Sequence, residues 1–129
     1  MTTPHFDKTA NTGFRHLANS TRFSIQGLAS AIKHEAAFRQ ELALLVVLTP
    51  LGLWISSSIA DFVVLMFVLL FVLVVELLNS GIEAVVDRVG VEHHELSGRA
   101  KDFGSAAVML SLLMAGMVWL LMVYRFLQS

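Results

Sequence analysis

The chain has 129 residues, 56% of them hydrophobic, and a mean hydropathy of +0.71, far more apolar than a soluble domain of this length. Its formal charge of -1, without any clustered Lys/Arg block, argues against a nucleic-acid partner, and the lack of cysteine excludes a disulfide framework and thiol chemistry. The expected solvent is a lipid bilayer, whose hydrocarbon core of about 30 Å takes about 20 apolar residues to cross as a helix.

Met1 to Thr12 is polar, contains Pro4 and shows no apolar periodicity, so it reads as a frayed terminus. The first 41 residues lack the apolar core and cleavage site of a secretory signal, and the mature chain is expected to start near Met1. Between Phe14 and Ala36 the apolar positions Phe14, Leu17, Ile25, Leu28, Ala29, Ile32 and Ala36 recur at three- and four-residue steps, with Arg15, Arg22, Gln26 and Lys33 between them. This pattern predicts an amphipathic helix whose basic face suits the lipid headgroup plane. Packing on other helices of the same protein is the plainer alternative. Gly27 and Asn19-Ser20-Thr21 are the places where this helix would bend or break.

A first span is predicted from Leu42 to about Ile59, with a bend expected at Pro50 and Gly52, since such breakers are tolerated in membrane helices. The turn at residues 56–61 is short, which makes the next helix an antiparallel neighbour. That second span, from Phe62 to about Ser80, contains the apolar run Phe62 to Val75 and brings Glu76 near one membrane surface. A third span runs from Phe103 to Tyr124, carries no charged residue and ends at Arg125. Of the nine Lys and Arg residues, eight (Lys8, Arg15, Arg22, Lys33, Arg39, Arg88, Arg99 and Lys101) fall on one side and only Arg125 on the other. Basic residues are retained in the cytoplasm, so the N-terminus and residues 79–102 should face the cytoplasm and the C-terminus the far side.

The segment most informative about chemistry is Glu76-Leu77-Leu78-Asn79-Ser80-Gly81-Ile82-Glu83-Ala84-Val85-Val86-Asp87-Arg88. At about 100° per residue, Glu76, Asn79, Ser80, Glu83 and Asp87 share roughly one third of a helix circumference, and Leu77, Leu78, Ile82, Val85 and Val86 occupy the rest. A charged side chain on a spanning helix costs about 2.5 to 3.5 kcal/mol at mid-bilayer and less towards the interface. A metal ion, a proton or hydrogen bonds from a neighbouring helix would each compensate Glu76. An all-oxygen ligand set suits Mg²⁺, whereas the absence of cysteine and the position of His93-His94 in a loop disfavour zinc. The plain alternative is that the stripe only holds helices together, as polar residues do in membranes.

Other polar groups lie near the same membrane face: Glu35, Arg39, Gln40 and Glu41 before the first span, and Arg99, Lys101, Asp102 and Ser105 before the third. Separately, each has a simple role, such as a Glu35–Arg39 pair one turn apart, a Ser97 helix cap or a topology signal. Their convergence from three segments at one level is how an interfacial active site would be assembled. Phosphoryl transfer requires held phosphates, neutralised charge and a positioned acceptor hydroxyl. There is no G-x-x-x-x-G-K-S/T or G-x-G-x-x-G loop, so any nucleotide site must be built from side chains. The residues alone imply an acidic, metal-dependent site at the cytoplasmic interface.

The runs Glu35-Ala36-Ala37-Phe38-Arg39-Gln40-Glu41, Glu76 to Arg88, and His94-Glu95-Leu96-Ser97-Gly98-Arg99-Ala100-Lys101-Asp102 closely resemble the prokaryotic diacylglycerol kinase family, in order and with the family's spacing. The likeness covers about Thr12 to Tyr124. It implies an all-α membrane protein of the bacterial inner membrane, with a surface helix and three transmembrane helices. The implied assembly is a homotrimeric bundle with composite sites, active site in the cytoplasm and C-terminus in the periplasm. The implied reaction is ATP-dependent phosphorylation of diacylglycerol to phosphatidic acid. Carried over by motif, Glu76 matches the general base and Asn79 its support, while Glu35 and Glu83 match the Mg²⁺ carboxylates that face ATP. The resemblance further implies nucleotide contacts at His16, Phe23, Glu92, His93, His94, Lys101 and Asp102, and lipid contacts at Ser24, Phe38, Gln40, Glu76 and Ser105. The sequence departs from the family at His16, where an arginine is usual and Arg15 is the neighbour, and at Phe23, which keeps the ring of the usual tyrosine without its hydroxyl. Undecaprenol kinase is a related alternative, but such proteins look different at Glu95 to Arg99 and at Phe38 to Glu41. A non-catalytic helix-packing subunit is the alternative of another class.

Overall fold

The computed structural model describes residues 12–129; the terminus expected to fray, with Pro4 and Lys8, lies outside the described residues except for Thr12. Four helices follow one another: α1 (Gly13–His34), α2 (Ala36–Ile55), α3 (Ile59–Val89) and α4 (Glu95–Gln128). The chain divides into two compact units, one ending at His34 and the other running from Glu35 to Ser129.

The first unit contains α1, which Gly13 opens from a left-handed φ of 60° that favours glycine. Lys33 and His34 in its last turn complement the partial negative charge of that helix end. Contrary to expectation, α1 is unbroken through Asn19-Ser20-Thr21 and Gly27. The Thr21 and Ser24 hydroxyls donate to the carbonyls of Leu17 and Ser20, each at 2.9 Å, so these polar residues are satisfied inside the helix rather than competing with it.

In the second unit α3 is the central helix, packed extensively on α4 and on α2. Three helices, α2, α3 and α4, are long and apolar enough to cross a membrane. Large apolar side chains stay exposed along them, among them Val47, Trp54, Phe67, Leu78 and Leu120, as hydrocarbon requires and water would penalise. α2 continues through Pro50 to Ile55, with the Thr49 hydroxyl donating to the Leu45 carbonyl at 2.7 Å. The linker between α2 and α3 is a reciprocal cap. The Ser58 hydroxyl accepts the Asp61 N–H at 3.2 Å, and the Asp61 carboxylate accepts the Ser57 N–H at 3.2 Å. Arg125 near the end of α4 reaches Asp61 at 3.5 Å, tying the far ends of the α3–α4 pair.

Both α3 and α4 are longer than hydropathy alone indicates. At 31 residues α3 extends about 46 Å, well beyond a hydrocarbon core of about 30 Å. Hydropathy marks only the stretch that lies in lipid, whereas backbone hydrogen bonding carries the helix on to Val89. Similarly, α4 starts at Glu95 and not at Phe103. Its N-cap is His94, whose Nδ1 accepts the Leu96 N–H at 3.1 Å, so Ser97 lies inside the helix and does not cap it.

The core follows the period of packed helices. On α3 the buried positions are Leu65, Val68, Leu69, Val72, Leu73, Glu76 and Asn79, spaced by three and four residues. On α4 they are Gly104, Ser111, Ala115 and Trp119. Three of those four are small, which lets helix backbones approach closely where no hydrophobic drive between helices exists. A Cβ at Gly52 on α2 would lie 3.2 Å from Met66 Cε and 3.3 Å from Trp119 Cη2. The three helices therefore meet closely there.

Candidate active site

The buried stripe of α3 is apolar from Leu65 to Leu73 and then becomes polar at Glu76 and Asn79 without changing face. The polar stripe read from the sequence is thus the continuation of the packed face. Leu78 and Val85, on the opposite side, are exposed. Glu76 is only 5% exposed and Asn79 9%. Packing on α2 and α4 therefore shields these groups from lipid, which offsets part of the cost of a carboxylate in a spanning helix.

Asn79, three residues on along the same buried face, places its side-chain amide beside the Glu76 carboxylate. Asn79 Oδ1 is buried without a hydrogen-bond partner, so the amide nitrogen is the end that can serve Glu76. Gly104 of α4 faces this amide, and a Cβ built there would collide with Asn79 Oδ1. Around Glu76 the carboxylates of Glu83 and Glu35 act on it electrostatically, and Glu76 acts in turn on Glu41. Glu83 stands two helical turns beyond Glu76 on α3. Glu35 is the N-cap residue of α2, in extended conformation, and its side chain makes no capping hydrogen bond. Four carboxylates from two helices and the turn before α2 thus share one region.

Among the described residues no group of three or more His, Cys, Asp or Glu side chains forms a ready metal cage.

Beyond Glu83 the polar surface continues into a cavity of about 370 Å³ lined by Asp87, Glu92, His93, His94, Ser97 and Lys101, among others. The structure therefore brings together four of the residues assigned to nucleotide: Glu92, His93, His94 and Lys101. Lys101 Nζ is 2.7 Å from Asp87 Oδ1. Asp87 belongs to the polar stripe yet had no role in the sequence reading. Its position one turn after Glu83 was the signal. Because His94 Nδ1 accepts the Leu96 N–H, the His94 proton is on Nε2.

Asp102 and Ser105 on α4 are exposed, as is Gln40 on α2, whereas Phe38 is buried. His16, Phe23 and Ser24 lie on α1, where Arg22 stands over the Phe23 ring at 5.6 Å and His16 Nδ1 is 3.4 Å from the Ser20 hydroxyl. Glu41 also lines a separate, mostly apolar crevice of about 210 Å³ between α2, α3 and α4, together with Leu48, Leu69, Val72 and Trp119. Glu41 Oε2 and Trp119 Nε1 are buried there without hydrogen-bond partners.

A family model described as prokaryotic diacylglycerol kinase matches residues 22–123. Among curated relatives, a diacylglycerol kinase of Haemophilus influenzae is 50% identical over 108 residues, covering 84% of this chain and 92% of the relative. One from Escherichia coli strain K12 is 42% identical over 113 residues (88% and 93%), and one from Pseudomonas aeruginosa 44% identical over 108 residues (84% and 88%).

Proposed function

The chain belongs to the prokaryotic diacylglycerol kinase family, and on that premise we propose that it transfers the γ-phosphoryl group of ATP to the free hydroxyl of membrane diacylglycerol, giving phosphatidic acid and ADP. It is an enzyme, a lipid kinase, and the reading as a helix-packing subunit falls away. The observation that supports the mechanism is the buried Glu76, with Asn79 beside it on the packed face of α3 and the Glu35 and Glu83 carboxylates near enough to act on it electrostatically.

In this reading Glu76 accepts the proton of the lipid hydroxyl as that oxygen attacks the γ-phosphorus and the bond to ADP breaks. The Asn79 N–H aims the carboxylate. Glu35 and Glu83 would hold Mg²⁺, which when bound neutralises charge on the phosphate oxygens. Lys101 adds a cation to the phosphates, exchanging Asp87 for them, and Glu92, His93 and His94 line the nucleotide cavity. Asp102, His16 and Phe23 complete the nucleotide contacts, and Ser24, Phe38, Gln40 and Ser105 the lipid contacts. This protein would work as a homotrimer in the bacterial inner membrane, with its site facing the cytoplasm. The basic residues gathered on that side support the orientation.

The test is ATP-dependent phosphorylation in detergent–lipid micelles, with diacylglycerol and undecaprenol as acceptors and with Glu76→Gln beside the wild type. Transfer to diacylglycerol is expected, together with a loss of about 10²- to 10⁴-fold in Glu76→Gln. Transfer to undecaprenol alone would reassign the substrate, and full activity in Glu76→Gln would remove the base.

A further inference from the structure

We propose that Gly104 of α4 is a positioning residue for the base: the bare backbone at this position lets the Asn79 amide lie in the orientation that delivers its N–H to Glu76. The inference rests on the role given to Glu76 above. Asn79 is nine-tenths buried one turn from Glu76 on the same face of α3, and its Oδ1 has no hydrogen-bond partner, which leaves the amide nitrogen as the end that can serve Glu76. No bond at the oxygen fixes the amide plane, so packing must do so. The wall it packs on is Gly104, itself buried.

A methyl group at position 104 would collide with Oδ1 and sit 3.2 Å from Cγ, but it would lie 3.8 Å from Asn79 Cα, an ordinary contact. The conflict is therefore with the functional amide and not with the helix backbone. A glycine required only for close helix approach would show the reverse. The other α4 glycines differ, because a Cβ at Gly98 or Gly116 meets nothing within 4 Å. Turning the amide away from an added methyl would take its N–H off Glu76. The loss should fall on turnover, since neither group needs to contact nucleotide more weakly.

The experiment is a double-mutant cycle on the full-length protein in lipid micelles, reading kcat, both KM values and the melting temperature. Gly104→Ala is expected to lower kcat by on the order of 100-fold, the scale of a misplaced catalytic group, with the KM values for ATP and diacylglycerol little changed. Gly116→Ala should keep the wild-type kcat. In the Asn79→Ala background Cγ and Oδ1 are gone, so adding Gly104→Ala should cost nothing further. This double variant is readable even if Gly104→Ala alone folds poorly. Wild-type kcat in Gly104→Ala, or a further loss on the Asn79→Ala background, would overturn the proposal. Failure of the base assignment is a separate result, seen as full activity in Glu76→Gln.

Discussion

Glu76 and Lys101 make opposite demands on their surroundings. Glu76 is buried beside other carboxylates and the Asn79 amide, so its substitution by Gln keeps shape and the capacity to accept a hydrogen bond while removing basicity. That is why the Gln variant discriminates a base from a packing residue. Lys101 is half exposed and paired with Asp87 at 2.7 Å, an arrangement that an incoming phosphate can replace at little cost. Exposed ion pairs contribute little to stability because solvent screens them. Asp87→Asn should therefore leave the unfolding midpoint almost unchanged in a denaturant titration in detergent. Lys101→Ala should raise KM for ATP in steady-state assays, on the order of tenfold, as loss of a charge-assisted contact to phosphate would. An unchanged KM would remove Lys101 from the nucleotide site.

At the level of elements the α3–α4 contact explains both fold and site. Small residues on α4 admit the α3 face, and that face carries Leu65 at one end and Glu76 at the other. Ser111, 2% exposed and donating to the Val108 carbonyl at 2.7 Å, sits in the middle of the contact. Ser111→Leu has no space and should destabilise by about 1 to 3 kcal/mol. The same unfolding titration, with Leu78→Ala on the exposed side of α3 as a much milder comparison, checks this expectation. If Ser111→Leu is as stable as the wild type, the packing described here is wrong.

For the whole molecule, the lack of cysteine provides a clean background for topology mapping. A single cysteine at Glu92, in the loop before α4, and another at Ser129 should be labelled from opposite sides of the membrane by an impermeant maleimide. Glu92→Cys should react only when the cytoplasmic face is open, and Ser129→Cys from the outside. Cross-linking of the protein in detergent should stop at a three-subunit species if the proposed trimer is correct. The relation of Asp61 to Arg125 belongs to this scale too, since it joins the ends of two long helices that lie away from Glu83 and Lys101.

Membrane residence, the number of spans, the polar stripe and the motifs that place the chain in its family were all legible in the sequence. They depend on local composition, helical period and residue order. The ends of α3 and α4 were not legible, because hydropathy reports contact with lipid whereas helices end where backbone hydrogen bonds and caps end, here at Gly90 and His94. Tertiary structure alone decided that the polar stripe lies on the packed face, that Asp87 meets Lys101 and that Gly104 faces Asn79. Each of these depends on which side of one helix another occupies. A single helix's period fixes which residues share a face but not what that face will touch.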